Sequence, residues 1–141
     1  MINALTIGMQ NTSIEAVRVD AIETHITLFV HPTSANAMYR AMGRRVVISV
    51  EGRAFKKLMA ELLSRTPHGY ITGPVKLTLA FEFKTNRKRD LDNYAKPLID
   101  TLKGVLFVDD SDIYILNMTK RIGASVDCVR IDCVPIYEDT I

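Results

Sequence analysis

The sequence predicts an α+β fold: a single domain in which a mixed β-sheet is covered by two helices. Three observations predict it. The run VKLTLAFEFK alternates cleanly, with Val75, Leu77, Leu79, Phe81 and Phe83 on one side and Lys76, Thr78, Glu82 and Lys84 on the other. That is the pattern of a strand with one buried face. Two other segments space their apolar residues for helices, and short strand-like runs outnumber them. The 141 residues, 48% hydrophobic and 24% charged, suit one globular domain with one core.

The elements follow in order. Residues 1–23 are set apart as an N-terminal extension, a strand or an arm, and residues 24–141 as the domain. Within the extension ALTIGM suits a short strand, and TSIEAVRVDAI a helical turn or an extended segment. THITLFV reads as a strand. HPTSANAMYRAMGRR holds Pro, Ser, Asn and Gly in turn-like positions and reads as a loop. VVISV is a short β-branched strand. EGRAFKKLMAELLSR places Phe55, Leu58, Met59 and Leu62 at helical spacing, with Lys56, Lys57 and Glu61 outward. TPHGYITGP breaks that helix. After VKLTLAFEFK, TNRKR is a polar connector. DLDNYAKPLIDTLKGVL then reads as a helix with the stripe Tyr94, Leu98, Leu102 and Val105. FVDDSD is a turn. IYILNMTKR and SVDCVRIDCVPI read as two strands of a hairpin around IGA.

Bulk properties exclude several classes. The composition is neither disordered nor fibrous, and the net charge of +2 does not by itself announce a nucleic-acid binder. The two cysteines, Cys128 and Cys133, lie five apart in a strand pattern, hence on opposite faces. Two buried thiols in a reducing compartment fit better than a disulfide or a metal site. No run approaches the roughly 20 apolar residues of a membrane span. The N-terminus lacks the charged and apolar regions of a signal peptide. A cytoplasmic protein without membrane partners is expected.

Charge placement is more telling. Lys84, Arg87, Lys88 and Arg89 run directly into Asp90 and Asp92. Acids suit the positive end of a helix, and capping explains one of the two. A lone D-x-D is weak evidence of chemistry. VDDSD adds Asp109 and Asp110 beyond the helix. If the following strand returns that turn beside Asp90 and Asp92, the clustered carboxylates repel one another unless a cation joins them. Oxygen ligands of this type fit Mg²⁺ or Mn²⁺. Such a site activates water and stabilises charge on a phosphoryl oxygen; the competing reading is a solvated acidic turn.

Lys96 follows Asp92 by four residues, on the same helix face. It either pairs with Asp92 or Asp100, worth about 0.3–0.5 kcal/mol, or faces a phosphate. Pro97 next to it is tolerable near a first helical turn. The cations Lys84, Arg87, Lys88 and Arg89 are either a soluble connector or a set of backbone-phosphate contacts. Arg40, Arg44, Arg45 and Arg53 form a second basic set that extends the same track. Phosphate contacts carry no base information, so such a track reads shape rather than sequence.

RKRDLDNYAKPLIDTL followed by VDDSDI resembles the RusA family of Holliday junction resolvases, small endodeoxyribonucleases of bacteria and their phages. The resemblance extends to HPTSANAMYR, VVISVEGRAFKK and VKLTLAFEF, from about Thr24 to Pro135. It implies a RusA-like fold and roles by position. Asp90, Asp92 and Asp110 would be catalytic acids holding Mg²⁺, and Lys96 the essential lysine. Asn93 would orient a carboxylate, with Asp109 a supporting neighbour. It also implies a homodimer that cuts two symmetric phosphodiesters of a four-way junction in recombination and repair, leaving 5′-phosphate ends, with no small-molecule cofactor. The first 23 residues have no counterpart in that likeness, and SANAMYRAMGRR and the strand after VDD match it loosely. Two other classes stand beside the enzyme: a non-catalytic nucleic-acid-binding module of a phage or prophage, and a structural α+β protein whose acids are caps and turns.

Overall fold

The computed structural model describes residues 22–137. The expected extension therefore falls almost wholly outside the described residues. The elements are β1 (Thr24–Leu28), α1 (Ala35–Met38), β2 (Tyr39–Met42), β3 (Arg45–Ile48), α2 (Val50–Arg65), β4 (Val75–Phe83), α3 (Ala95–Leu102), β5 (Ile113–Ile122) and β6 (Cys128–Pro135). Short 3-10 turns, Leu91–Tyr94 and Asp110–Asp112, precede α3 and β5.

Four strands form one mixed sheet in the order β1-β6-β4-β5, and β2 and β3 form a separate hairpin. β4 is antiparallel to β6 and parallel to β5. A parallel pair needs a crossover, and the segment through α3 supplies it. Register aligns the apolar residues across the sheet: Ile26 with Ile131, Ile131 with Leu79, and Leu79 with Met118. This face meets the helices and carries the core, with Phe81, Phe83, Leu98, Leu102 and Met59 buried. The opposite face is polar, with ion pairs such as Arg121–Glu82 at 2.9 Å. The sheet is thus mixed and covered on one face, as the alternation predicts. Cys133 lies opposite Leu77 and Cys128 opposite Glu82, on opposite faces, and both are free thiols.

Four local expectations change. The IGA segment does not close a hairpin, because β4 lies between β5 and β6. The amides of Gly123 and Ala124 donate to the Phe83 carbonyl at 2.9 and 3.1 Å, so the link steps across the end of β4. That step is about 9.6 Å, two strand spacings, within reach of five residues. The expected loop His31–Arg45 contains α1 and β2. Ser34 caps α1 through its hydroxyl, which accepts from the Ala37 amide. In α2, Leu58 turns outward and Leu63 inward, because the buried stripe is Gly52, Phe55, Met59 and Leu63. Ser49 caps this helix by accepting from the Gly52 amide, and its own hydroxyl donates to the Ala37 carbonyl at 2.6 Å.

The fourth change bears on the site. The expected helix over 90–106 is a 3-10 turn followed by α3, which ends at Leu102. Pro97 occupies the first turn of α3, where an amide would have no helical acceptor. Gly104 follows at φ +78°, which reverses the chain without the penalty a side chain brings. Among the described residues no helix is long and apolar enough to cross a membrane.

Candidate active site

The connector between β4 and the 3-10 turn is built around Arg89. Its guanidinium stacks over the Phe83 ring at 4.1 Å. It donates to the Thr85 and Arg87 carbonyls at 3.0 and 3.3 Å and to the Thr85 hydroxyl at 2.9 Å. Arg89 is only 9% exposed, so its charge serves the connector from within. Lys120 of β5 donates to the Arg89 carbonyl, and Asp127 accepts from the Lys84 amide at 2.8 Å. The segment is therefore held at both ends. Sequence reasoning missed Lys120, which lies 31 positions from Arg89 with no local signal.

This framework sets out the charged side chains. Lys84, Arg87 and Lys88 are exposed. Arg87, Lys88, Arg89, Asp90, Asn93 and Tyr94 line a polar cleft of about 400 Å³ together with Ser34 and Asn36. Tyr94 seats the turn on the core, 5.3 Å from the Phe83 ring centroid. Asp90 stands at the cap position of the 3-10 turn but makes no side-chain cap bond. The capping explanation therefore fails for Asp90. Asp90 and Asp92 are both exposed, and among the described residues neither carboxylate has a hydrogen bond or ion pair. Arg40, Arg44 and Arg45 are exposed on the β2–β3 hairpin, and Arg53 donates to the Ile48 carbonyl at 2.9 Å.

Lys96 is on the exposed side of α3. Its ammonium meets Asp100, 3.4 Å from Oδ2, rather than Asp92. The Tyr39 hydroxyl donates to the same Oδ2 at 2.7 Å. Burial, then the bond to Asp100, then the charges of Asp100 and Asp110 push the Tyr39 hydroxyl up to about 12. Tyr39 is 61 positions from Asp100, and nothing in the sequence marks the pairing.

Asp109 and Asp110 are not equivalent. Asp109 caps the second 3-10 turn, accepting from the Ser111 amide at 3.0 Å and hydroxyl at 2.7 Å, and it pairs with Lys103 at 3.1 Å. These contacts, Ser111 first, hold its carboxyl far below the usual carboxylate range. Asp110 has no such occupation, and its Oδ1 is buried without a hydrogen-bond partner. A buried carboxylate oxygen left unpaired is costly, and it is the donor type a divalent cation takes.

The three acids stand on separate segments of the chain. Asp90 and Asp92 lie in the segment leading to Tyr94, whose ring meets Phe83 at the end of β4, whereas Asp110 precedes Ile113, which pairs with Val75 at the start of β4. Eight residue steps of about 3.3 Å separate those ends by roughly 26 Å. Among the described residues no three His, Cys, Asp or Glu side chains form a metal-binding group. The donor types fit a divalent cation.

Comparison with known proteins agrees with the motif. A family model described as Endodeoxyribonuclease RusA matches residues 30–132. The crossover junction endodeoxyribonuclease of Enterobacteria phage 82 is 33% identical over 98 residues, covering 68% of this chain and 81% of that protein. The Escherichia coli K12 protein of the same name is 30% identical over 91 residues, 63% and 76% of the two chains. That of Enterobacteria phage HK97 is 26% identical over 83 residues, 58% and 69%. Because the match spans most of the chain and includes Asp90, Asp92, Asn93, Lys96 and Asp110, this protein belongs to the RusA family of endodeoxyribonucleases and is a nuclease.

Proposed function

We propose that this nuclease resolves Holliday junctions, four-way branched DNA, by symmetric paired phosphodiester cleavage in recombination and repair, acting as a homodimer in the cytoplasm of a bacterium or in a phage cycle. One observation carries the reading: the unpartnered carboxylate of Asp90 lines a polar cleft together with the cations Arg87 and Lys88, and the equally unpartnered Asp92 lies two residues on. Lys84, Arg87 and Lys88, with Arg40, Arg44 and Arg45 of the hairpin, supply phosphate contacts. Arg89 supports the connector from below.

Asp90, Asp92 and Asp110 would hold Mg²⁺ or Mn²⁺, with Asn93 orienting a carboxylate. When bound, that cation would polarise the phosphoryl oxygen and lower the cost of deprotonating water. Lys96 places a positive charge toward the phosphate, where negative charge grows in the transition state. Asp109 keeps the Asp110 turn in shape.

Asp90 and Asp92 follow the end of β4 and Asp110 precedes the strand paired with its start, a placement that favours a site shared by two copies. Val108, Tyr114, Ile115 and Leu116, beside Asp110 and on the edge strand β5, are exposed apolar residues. Tyr114 is the extra residue of a bulge, since Val75 and Lys76 pair with Ile113 and Ile115. A second copy seated there buries the patch and carries each Asp110 toward the partner's Asp90 and Asp92. Two-fold symmetry then yields two equivalent sites, matching a junction that needs two nicks.

The test is incubation with a labelled four-way junction, with Mg²⁺ or with EDTA, beside Asp92→Asn. Paired nicks that require metal and disappear in the variant are expected. Binding without cleavage across metal concentrations would instead make the protein a non-catalytic nucleic-acid-binding module.

A further inference from the structure

We propose that Asp100 is a positioning residue for Lys96, and that Tyr39 is the second link, tying the lysine to the β2–β3 hairpin. This deepens the proposed function, because it rests on Lys96 facing the phosphate that is cut.

Lys96 is 67% exposed, and a four-carbon stem in water samples many rotamers. An ordinary exposed i,i+4 partner tethers such a side chain weakly. Asp100 differs from an ordinary partner. Its side chain is 24% exposed; the Lys96 ammonium donates to its Oδ1 at 3.5 Å and lies 3.4 Å from its Oδ2, which accepts from the Tyr39 hydroxyl at 2.7 Å. Tyr39 comes from a different element, and its backbone is registered against Ile48 in the hairpin. The carboxylate is thus fixed from outside its own helix, so the ammonium has a defined direction. An ammonium has three N–H donors. Asp100 occupies one, and the others remain for a phosphate. Because Tyr39 immediately precedes Arg40, phosphate contact at the hairpin bears on the same chain of bonds.

Asp100→Asn and Tyr39→Phe, each alone and combined with Lys96→Ala, test this in the full chain, with melting curves confirming that every variant folds. Misplacing a reacting group by about 1 Å can cost about a hundredfold. Asp100→Asn is therefore expected to slow single-turnover junction cleavage about ten- to a hundredfold, with junction affinity in EDTA unchanged. Tyr39→Phe is expected to lose less, about three- to tenfold. In the Lys96→Ala background neither substitution slows cleavage further. Full activity in Asp100→Asn, or losses that multiply with that of Lys96→Ala, would overturn the proposal.

A second measurement needs no cleavage. After reductive ¹³C-methylation, NMR relaxation of the Lys96 methyls in DNA-free protein is expected to show greater mobility in Asp100→Asn than in wild type, with Lys56 unchanged. Equal Lys96 mobility in the two proteins overturns positioning. If wild type cuts no junction, the proposed function falls, while the relaxation comparison still decides the role of Asp100.

Discussion

Arg89, Arg87 and Lys88 are neighbours in one basic run, yet burial divides their roles. The Arg89 guanidinium packs on Phe83 and donates to three oxygens of its own connector. Three hydrogen bonds at about 1 kcal/mol each and a cation–π contact of about 1 kcal/mol set the scale, partly offset by ordering the side chain. Arg89→Met is expected to lower stability by about 2–3 kcal/mol in urea denaturation. Arg87→Ala and Lys88→Ala are exposed changes, so their stability effect stays within about 0.5 kcal/mol. They are expected instead to weaken junction binding and reduce the slope of log affinity against log salt by about one each. A stability loss for Arg87 equal to that for Arg89 would contradict this division.

Among the elements, α2 is placed by a glycine. A Cβ on Gly52 would lie 2.7 Å from the Met38 carbonyl oxygen and 2.7 Å from Ile48 Cγ2. The helix therefore approaches the end of α1 more closely than any side chain allows. Alanine would be favoured in an isolated helix by about 0.5–1 kcal/mol. Here the contact is with backbone, which cannot rotate aside, and Gly52→Ala is expected to destabilise by about 1–3 kcal/mol. A thermal melt at or above the wild-type value would show that α2 can shift without cost. Since α1 leads directly into Tyr39, the same shift is expected to disturb the Tyr39–Asp100 bond.

For the whole molecule, the decisive property is that Asp92 follows the end of β4, whereas Asp110 precedes β5, which pairs with β4 in parallel from its start. A site shared by two copies predicts complementation. Asp92→Asn and Asp110→Asn are each expected to be inactive, and a mixture that exchanges subunits is expected to recover nicking. Each mixed dimer holds one intact set of acids, so it nicks one strand without completing resolution. A mixture as inactive as its components would place all three acids in one chain. Leu116→Lys, which puts a charge into the exposed apolar edge, is expected to shift the protein toward monomer in light scattering and to reduce cleavage with it.

By itself the sequence determined the α+β class, the one-sided strand Val75–Phe83, the seating of Tyr94, Leu98 and Leu102 in the core, and the motif by which the chain resembles the RusA nucleases. Those features are written in short-range periodicity and in a contiguous motif. It also paired Lys96 with Asp92 or Asp100 as alternatives, and tertiary structure chose Asp100, because Tyr39 anchors that carboxylate from another element. Tertiary structure likewise turned an apparent β5–β6 hairpin into a crossing of β4 and buried Arg89 beneath its own loop. Each of these depends on which strand lies between two others or which ring lies beneath a guanidinium. Such contacts join residues far apart in the chain, and local spacing carries no record of them.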